Sequence, residues 1–221
     1  MSALSINEPA SVDLRLKCPF SMIVCGPSNC GKTTWVTNLL RRRDEAFNVE
    51  SEGVIWFYKV WQDSYEKNRD IVQQFEQGMC TMEWLENNVK PNSTIVIDDM
   101  ASEATDDTAK LFTVGSHHLK LNVIFITQNL FPKNRAFRDI SLNTTYLALF
   151  KNVNDKLQVN TLAARYSPGN KKSFMAIYRE ITRKPHTYML LDNHQETDED
   201  VRIMSNYLNE LGKPISLWII Q

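Results

Sequence analysis

The chain has 221 residues, 43% of them hydrophobic, and a formal net charge of −1. That is enough for one sizeable core, and it excludes a global basic field for nucleic acid; such a contact must come from a local patch, or from several subunits presenting basic loops to one channel. The cysteines Cys18, Cys25, Cys30 and Cys80 lack paired metal-ligand spacing and are expected to be reduced thiols of an intracellular protein, and no apolar run approaches a membrane span, so the chain is expected to be soluble.

Residues 1–17 are polar and irregular and are expected to form an N-terminal arm, with one domain over 18–221. The apolar run 20–25 predicts a strand, and residues 32–43 carry Trp35, Val36, Leu39 and Leu40 at helical spacing. Further strands are predicted at 53–58, 93–97, 121–126, 144–150 and 187–191, and polar helices at 66–77 and 82–88. Residues 105–114 also read as helix, and the apolar stretch 214–221 as a final strand or a docking tail. Apolar strands alternating with helices predict an α/β sandwich with a largely parallel sheet, whose chemistry collects at the carboxyl ends of the strands.

Between the first strand and the first helix runs Gly26-Pro27-Ser28-Asn29-Cys30-Gly31-Lys32-Thr33, followed by Thr34. A phosphate cradle needs backbone N–H groups turned inward, which glycine permits. Gly26 and Gly31 supply that freedom, Lys32 can reach the β- and γ-phosphates of a nucleotide, and Thr33 offers a hydroxyl to Mg²⁺ at a helix N-terminus. The second half of such a site is an apolar strand ending in carboxylates, here Ile95-Val96-Ile97-Asp98-Asp99. Asp98 is assigned to the metal and Asp99 to the attacking water, with Glu103 as a competitor for the second role. The strand at 121–126 ends in Gln128, an amide placed to contact both a γ-phosphate and the attacking water.

Other polar groups have plainer readings. His117 and His118 are adjacent at a helix end and point in different directions, a poor metal geometry; a structural or subunit-contact role is expected. Arg41, Arg42 and Arg43 suit a helix C-terminus. Lys133, Arg135, Arg138, Lys171 and Lys172 are read as loop residues and as the better contacts for DNA phosphates. Trp56 and Phe57 read as core, whereas Trp61 and Tyr65 could approach a base.

The stretches Leu111-Phe112-Thr113-Val114-Gly115-Ser116-His117-His118, Val123-Ile124-Phe125-Ile126-Thr127-Gln128-Asn129-Leu130-Phe131 and Arg138-Asp139-Ile140-Ser141-Leu142-Asn143 resemble those of genome-packaging ATPases of Polinton-type elements and related viruses. Phe150-Lys151-Asn152 and Tyr188-Met189-Leu190-Leu191-Asp192 continue the resemblance, which spans roughly residues 18–205. That family is similar to the poxvirus packaging ATPase, within the FtsK–HerA superfamily. The resemblance implies a RecA-like P-loop NTPase core and ATP with Mg²⁺. It also implies a pentameric or hexameric ring around double-stranded DNA, capsid proteins as partners, and a virus assembly site in the host nucleus or cytoplasm. It further implies that Gln128 is a sensor and that Arg138, or Arg135 nearby, reaches a neighbour's γ-phosphate. There a guanidinium acts as a bidentate clamp that lysine would not replace. Where the family often reads Phe-Lys-Asn-Pro-Arg-Asp, this chain has Asn154 in place of the arginine, which puts that residue's contribution in doubt.

Three other functions compete. A viral helicase of another P-loop class is disfavoured by the long span from Lys32 to Asp98 and by the Gln128 motif. A small-molecule phosphotransferase needs an arginine-rich lid that the sequence does not clearly show. A nucleotide-switched capsid-assembly protein would need the same nucleotide site and only slow hydrolysis.

Overall fold

The structure, a computed structural model, describes residues 13–208 and 215–220. The described residues form nine strands: β1 Ser21–Cys25, β2 Val54–Tyr58, β3 Gln74–Gln77, β4 Thr94–Asp98, β5 Asn122–Thr127, β6 Tyr146–Phe150, β7 Tyr188–Asp192, β8 Ile203–Ser205 and β9 Ser216–Trp218. They make one sheet in the order β3-β2-β4-β5-β1-β6-β7-β8-β9. The first six in that order are mutually parallel, while β7, β8 and β9 each pair antiparallel with the strand before them. The helices are α1 Lys32–Arg41, α2 Arg43–Ala46, α3 Asp63–Glu66, α4 Met82–Asn88, α5 Asp106–Lys110, α6 Ser116–His118, α7 Arg135–Asn143, α8 Lys156–Tyr166 and α9 Lys171–Ile181.

Every residue of β1, β4, β5, β6 and β7 is buried. Uninterrupted apolar strands are what a sheet covered on both faces requires, and the two-residue side-chain period divides each strand between two cores. On one face Met22 and Val24 meet Val96, Ile124 and Ile126 beneath Trp35, Val36, Leu39 and Leu40 of α1. On the other, Ile23 and Cys25 meet Ile97 and Phe125 beneath Phe137 of α7, Leu162 of α8 and Phe174 of α9. The chain therefore leaves β1 over one face and returns from β5 to β6 over the other. β1 lies at the resulting switch point, where the two connections open a crevice at the strand carboxyl ends.

Several predicted elements shift. The polar stretch 66–77 is not a helix: α3 ends at Glu66, and Gln74–Gln77 adds parallel to the edge of β2. An edge strand keeps one row of polar side chains in water, so its composition is compatible with either element, and the open backbone edge of β2 decides. Residues 105–114 are helical as expected, but the chain continues through a wide turn, Leu111–Gly115, into α6. A Cβ on Gly115 would stand 2.8 Å from the Met82 sulfur, so this glycine admits α4 at close range. Arg135 and Arg138 lie on α7, and Lys171 and Lys172 open α9; these four are helical, not loop, residues. The amphipathic spacing of Ala136, Phe137 and Ile140 buries one side of α7 and leaves its arginines exposed.

Residues 1–12 of the expected arm lie outside the described residues; Leu16 is fully buried, and Leu14 O accepts from Tyr207 Oη at 3.0 Å. The final apolar stretch forms the edge strand β9, tied down by Trp218 Nε1 donating to Ser205 Oγ at 2.9 Å. Among the described residues no helix is long and apolar enough to cross a membrane.

Candidate nucleotide site

A cavity of about 1060 Å³ lies at the carboxyl ends of the central strands. Its floor is the loop between β1 and α1. Gly26 N–H donates to Thr127 O at 3.2 Å, which ties the start of the loop to β5. A Cβ on Gly26 would stand 2.7 Å from both the Phe150 Cβ and the Cys30 sulfur, so the backbone passes where only glycine fits. Asn29 and Gly31 take positive φ, 61° and 102°, and turn the loop before α1. No side chain caps α1 at Gly31, which leaves the first N–H groups of the helix for a ligand. Lys32, Thr33 and Thr34 all line the cavity. The Lys32 ammonium donates to Gly26 O at 2.7 Å and Pro27 O at 2.9 Å and is thereby held within the loop.

The order β4-β5-β1 brings three strand ends together. Asp98 closes β4 and is 4% exposed. Its Oδ2 accepts from Tyr65 Oη at 2.8 Å, and burial raises its pKa from an ordinary 3.8 to about 6 despite that hydrogen bond. Asp99 follows at φ 58°, which turns its carboxylate into the cavity. Gln128, just beyond β5, donates Nε2 to Asp99 Oδ2 at 3.1 Å and accepts at Oε1 from Ser28 Oγ at 3.1 Å. One amide thus joins the phosphate loop to the second carboxylate. Glu103 is directed elsewhere: it pairs with Lys59 at 2.6 Å and does not line the cavity.

Tyr65 does not face a base. It is 1% exposed, stacks on Phe75, and Trp61 packs on both, outside the cavity. The far wall instead comes from Trp35, Asn38, Gln62 and the Pro185, His186, Thr187 loop. His186 Nδ1 lies 3.1 Å from Cys30 O, so a segment 156 residues away in sequence rests on the phosphate loop. No local pattern marks it, because it is brought there by the β6–β7 pairing. His117 and His118 are exposed and lie outside the cavity, and among the described residues no group of three or more acidic, Cys or His side chains could hold a metal. Arg41, Arg42 and Arg43 serve the fold: Arg41 pairs with Asp70, Arg42 with Glu45, and Arg43 donates to Leu40 O. Arg138 and Arg135 are exposed, line no wall of this cavity, and have no side-chain partner among the described residues.

The buried carboxylate has a stability consequence. Because the folded pKa of Asp98 lies above its ordinary value, the folded state binds that proton more tightly. Stability falls as pH rises from about 3.8 to about 6 and stays reduced above it. The deficit at neutral pH is roughly 3 kcal/mol. Asp98→Asn retains an acceptor for Tyr65 without the buried charge. It is expected to raise Tm at pH 7.5, measured without nucleotide or Mg²⁺, by about 2–4 °C per kcal/mol recovered. The gain should shrink toward pH 5; an unchanged or lower Tm would contradict the account.

The fold is that of a RecA-like P-loop NTPase. The genome packaging NTPase B204 from Sulfolobus turreted icosahedral virus 2, solved with ATP-gammaS, superposes with a TM-score of 0.55 at 10% identity, covering 80% of this chain and 94% of that one. The AMPPCP complex of the same NTPase gives 0.54 at 12% identity over the same shares. A KaiC-like protein from Pyrococcus horikoshii OT3 covers 91% of this chain and 90% of its own at a TM-score of 0.42 and 10% identity. No family model matches the chain, and no curated protein matches it in sequence.

Proposed function

We propose that this chain is an ATP-hydrolysing motor that translocates double-stranded DNA and packages a viral or virus-like genome, of the kind found in Polinton-type elements and related viruses. The observation that carries the reading is the Gln128 bridge from Ser28 to Asp99: a side-chain amide joins the loop before α1 to the second carboxylate, the position from which a sensor of nucleotide state would act. The likeness to a viral genome packaging NTPase supports it.

Thr33 and Asp98 line the cavity with hard oxygen donors, and Asp98 is a buried carboxylate whose Oδ2 accepts from Tyr65, a set that fits Mg²⁺. When bound, Mg²⁺ supplies positive charge to the phosphate oxygens. Lys32 moves from the Gly26 and Pro27 carbonyls to the β- and γ-phosphates and holds its charge there. The free N–H groups at the start of α1 orient the phosphates. Asp99 accepts a hydrogen bond from the attacking water and aligns it. Gln128 Nε2 carries two hydrogens: one stays on Asp99 Oδ2 and the other is donated to the γ-phosphate, which couples nucleotide state to Asp99. Arg138, with no side-chain partner among the described residues, acts on a neighbour's γ-phosphate across a ring contact; Arg135 is the alternative. Backbone recognition of DNA demands no base-specific motif, and capsid proteins are the expected docking partners.

Double-stranded DNA should stimulate ATP hydrolysis, and ATP should promote a ring visible by mass photometry. A monomer under ATP with no stimulation by any DNA would sink the proposal, and strand separation by the purified protein would assign a helicase instead. Arg138→Ala should lower turnover about 10³-fold while retaining nucleotide binding. Mixing it with Lys32→Ala should restore part of the activity, because the second variant supplies Arg138 to intact sites. Failure of complementation, with mixed rings demonstrated, would remove Arg138 from the trans role.

A further inference from the structure

A separate cleft of about 450 Å³ is walled by α8, α9 and the loop that follows β6. Lys151, Lys156, Arg179 and Arg183 line it over a floor that includes Val159 and Met175, and among the described residues no carboxylate lines it. In a chain of net charge −1 this is a local concentration of cations. Elsewhere exposed cations are commonly spent on ion pairs, as with Arg41 on Asp70 and Lys59 on Glu103. In the cleft, Lys156 and Arg179 have no side-chain partner among the described residues. Two acids lie nearby, both outside the cleft lining, and leave its four cations in excess. Asp155 is engaged by the N–H groups of Leu157 and Gln158, and Glu180 meets Arg183 at 3.7 Å, with both side chains mostly exposed. Lys172, seven residues before Arg179, extends the cations along the same side of α9.

The cleft and the nucleotide cavity draw on the same two chain segments. Phe150 lines the cavity and Lys151 the cleft; Arg183 lines the cleft and Pro185 to Thr187 the cavity. Tyr178 Oη donates to Phe150 O at 2.9 Å and accepts from Asn152 N–H at 3.0 Å, while the Lys151 ammonium donates to Arg183 O at 3.1 Å. His186 then touches the phosphate loop at Cys30 O.

We propose that this α8–α9 cleft binds the phosphodiester backbone of duplex DNA and signals its presence to the nucleotide cavity through the two segments that both draw on; the inference rests on the motor reading above. Cations without carboxylates suit phosphates, which carry no sequence information. Among the described residues that line the cleft Tyr178 is the one aromatic ring; it is buried and uses its hydroxyl internally, so it offers no stacking platform of the kind by which single strands are held.

The test is binding of a short labelled duplex over a range of salt. Lys156→Gln combined with Arg179→Gln should reduce the slope of log affinity against log salt by about 2 and weaken binding roughly 10- to 50-fold at physiological salt. Its stimulation of ATP hydrolysis by DNA should fall in parallel. Lys90→Gln combined with Lys120→Gln removes the same charge at the amino ends of β4 and β5 and should leave the slope unchanged; thermal denaturation verifies that both variants fold. Wild-type binding with the same slope in the cleft variant overturns the cleft assignment and leaves the motor reading standing. No duplex binding by the wild type overturns both. Loss of polyglutamate binding with DNA binding intact overturns the proposal in favour of an acidic protein segment.

Discussion

Replacing Lys32 with alanine is expected to lower ATP turnover by at least about 100-fold, the scale on which loss of one positioned donor to a developing anion acts. Its ammonium lies 2.7 and 2.9 Å from two carbonyls of the phosphate loop, so it is stored inside the cradle rather than extended into solvent. The transfer from neutral carbonyl oxygens to anionic phosphates strengthens each hydrogen bond. Arginine should not rescue: the wider planar guanidinium cannot occupy the same space between Gly26 and Pro27. Turnover of Lys32→Ala, measured by phosphate release on protein with unaltered circular dichroism, settles the matter. Retention of more than about a tenth of wild-type turnover would contradict the proposed role.

Asp99→Asn should lower turnover by about 10²- to 10⁴-fold, the range for loss of a positioned base. Glu103→Gln should stay within about threefold of wild type, since Glu103 is committed to Lys59 and lies outside the cavity. Nucleotide affinity separates chemistry from binding: Asp99→Asn should bind ATP about as well as the wild type, because the phosphate loop and Lys32 are untouched. The reverse pattern, with Glu103→Gln inactive and Asp99→Asn active, would transfer the water-aligning role to Glu103. Asp98→Asn completes the set by separating stability from activity, since the same buried carboxylate that costs stability at neutral pH is the proposed metal ligand.

Much of the site was legible because its parts are local. A strand, a glycine turn and a helix N-terminus are consecutive in residues 21–41, and their geometry follows from glycine's freedom and from the orphan N–H groups of any helix start. Asp98 and Gln128 were legible because buried parallel strands read as apolar runs and the first polar residues after them face the crevice. The helices carrying Arg135, Arg138, Lys171 and Lys172 are also written in the sequence, since Ala136, Phe137 and Ile140, and Phe174, Met175, Tyr178 and Ile181, recur at helical spacing; the loop reading of the four cations passes over that period. β3 was misread for a different reason: Phe75 among polar neighbours has no preferred period until Tyr65 and the edge of β2 receive it.

The sequence alone therefore determined the parts of the proposed site: a glycine-bounded loop at Gly26 to Thr34, carboxylates at 98 and 99, and an amide at 128, each set by residues adjacent in the chain. Only the tertiary structure decided how these are completed. The order β4-β5-β1 set Gln128 between Ser28 and Asp99, the packing of α3 brought Tyr65 onto Asp98, and the antiparallel return of β7 laid His186 on the phosphate loop. Those contacts join segments far apart in the chain, and their partners are chosen by the packing of the two faces of the sheet, which no short stretch of residues encodes.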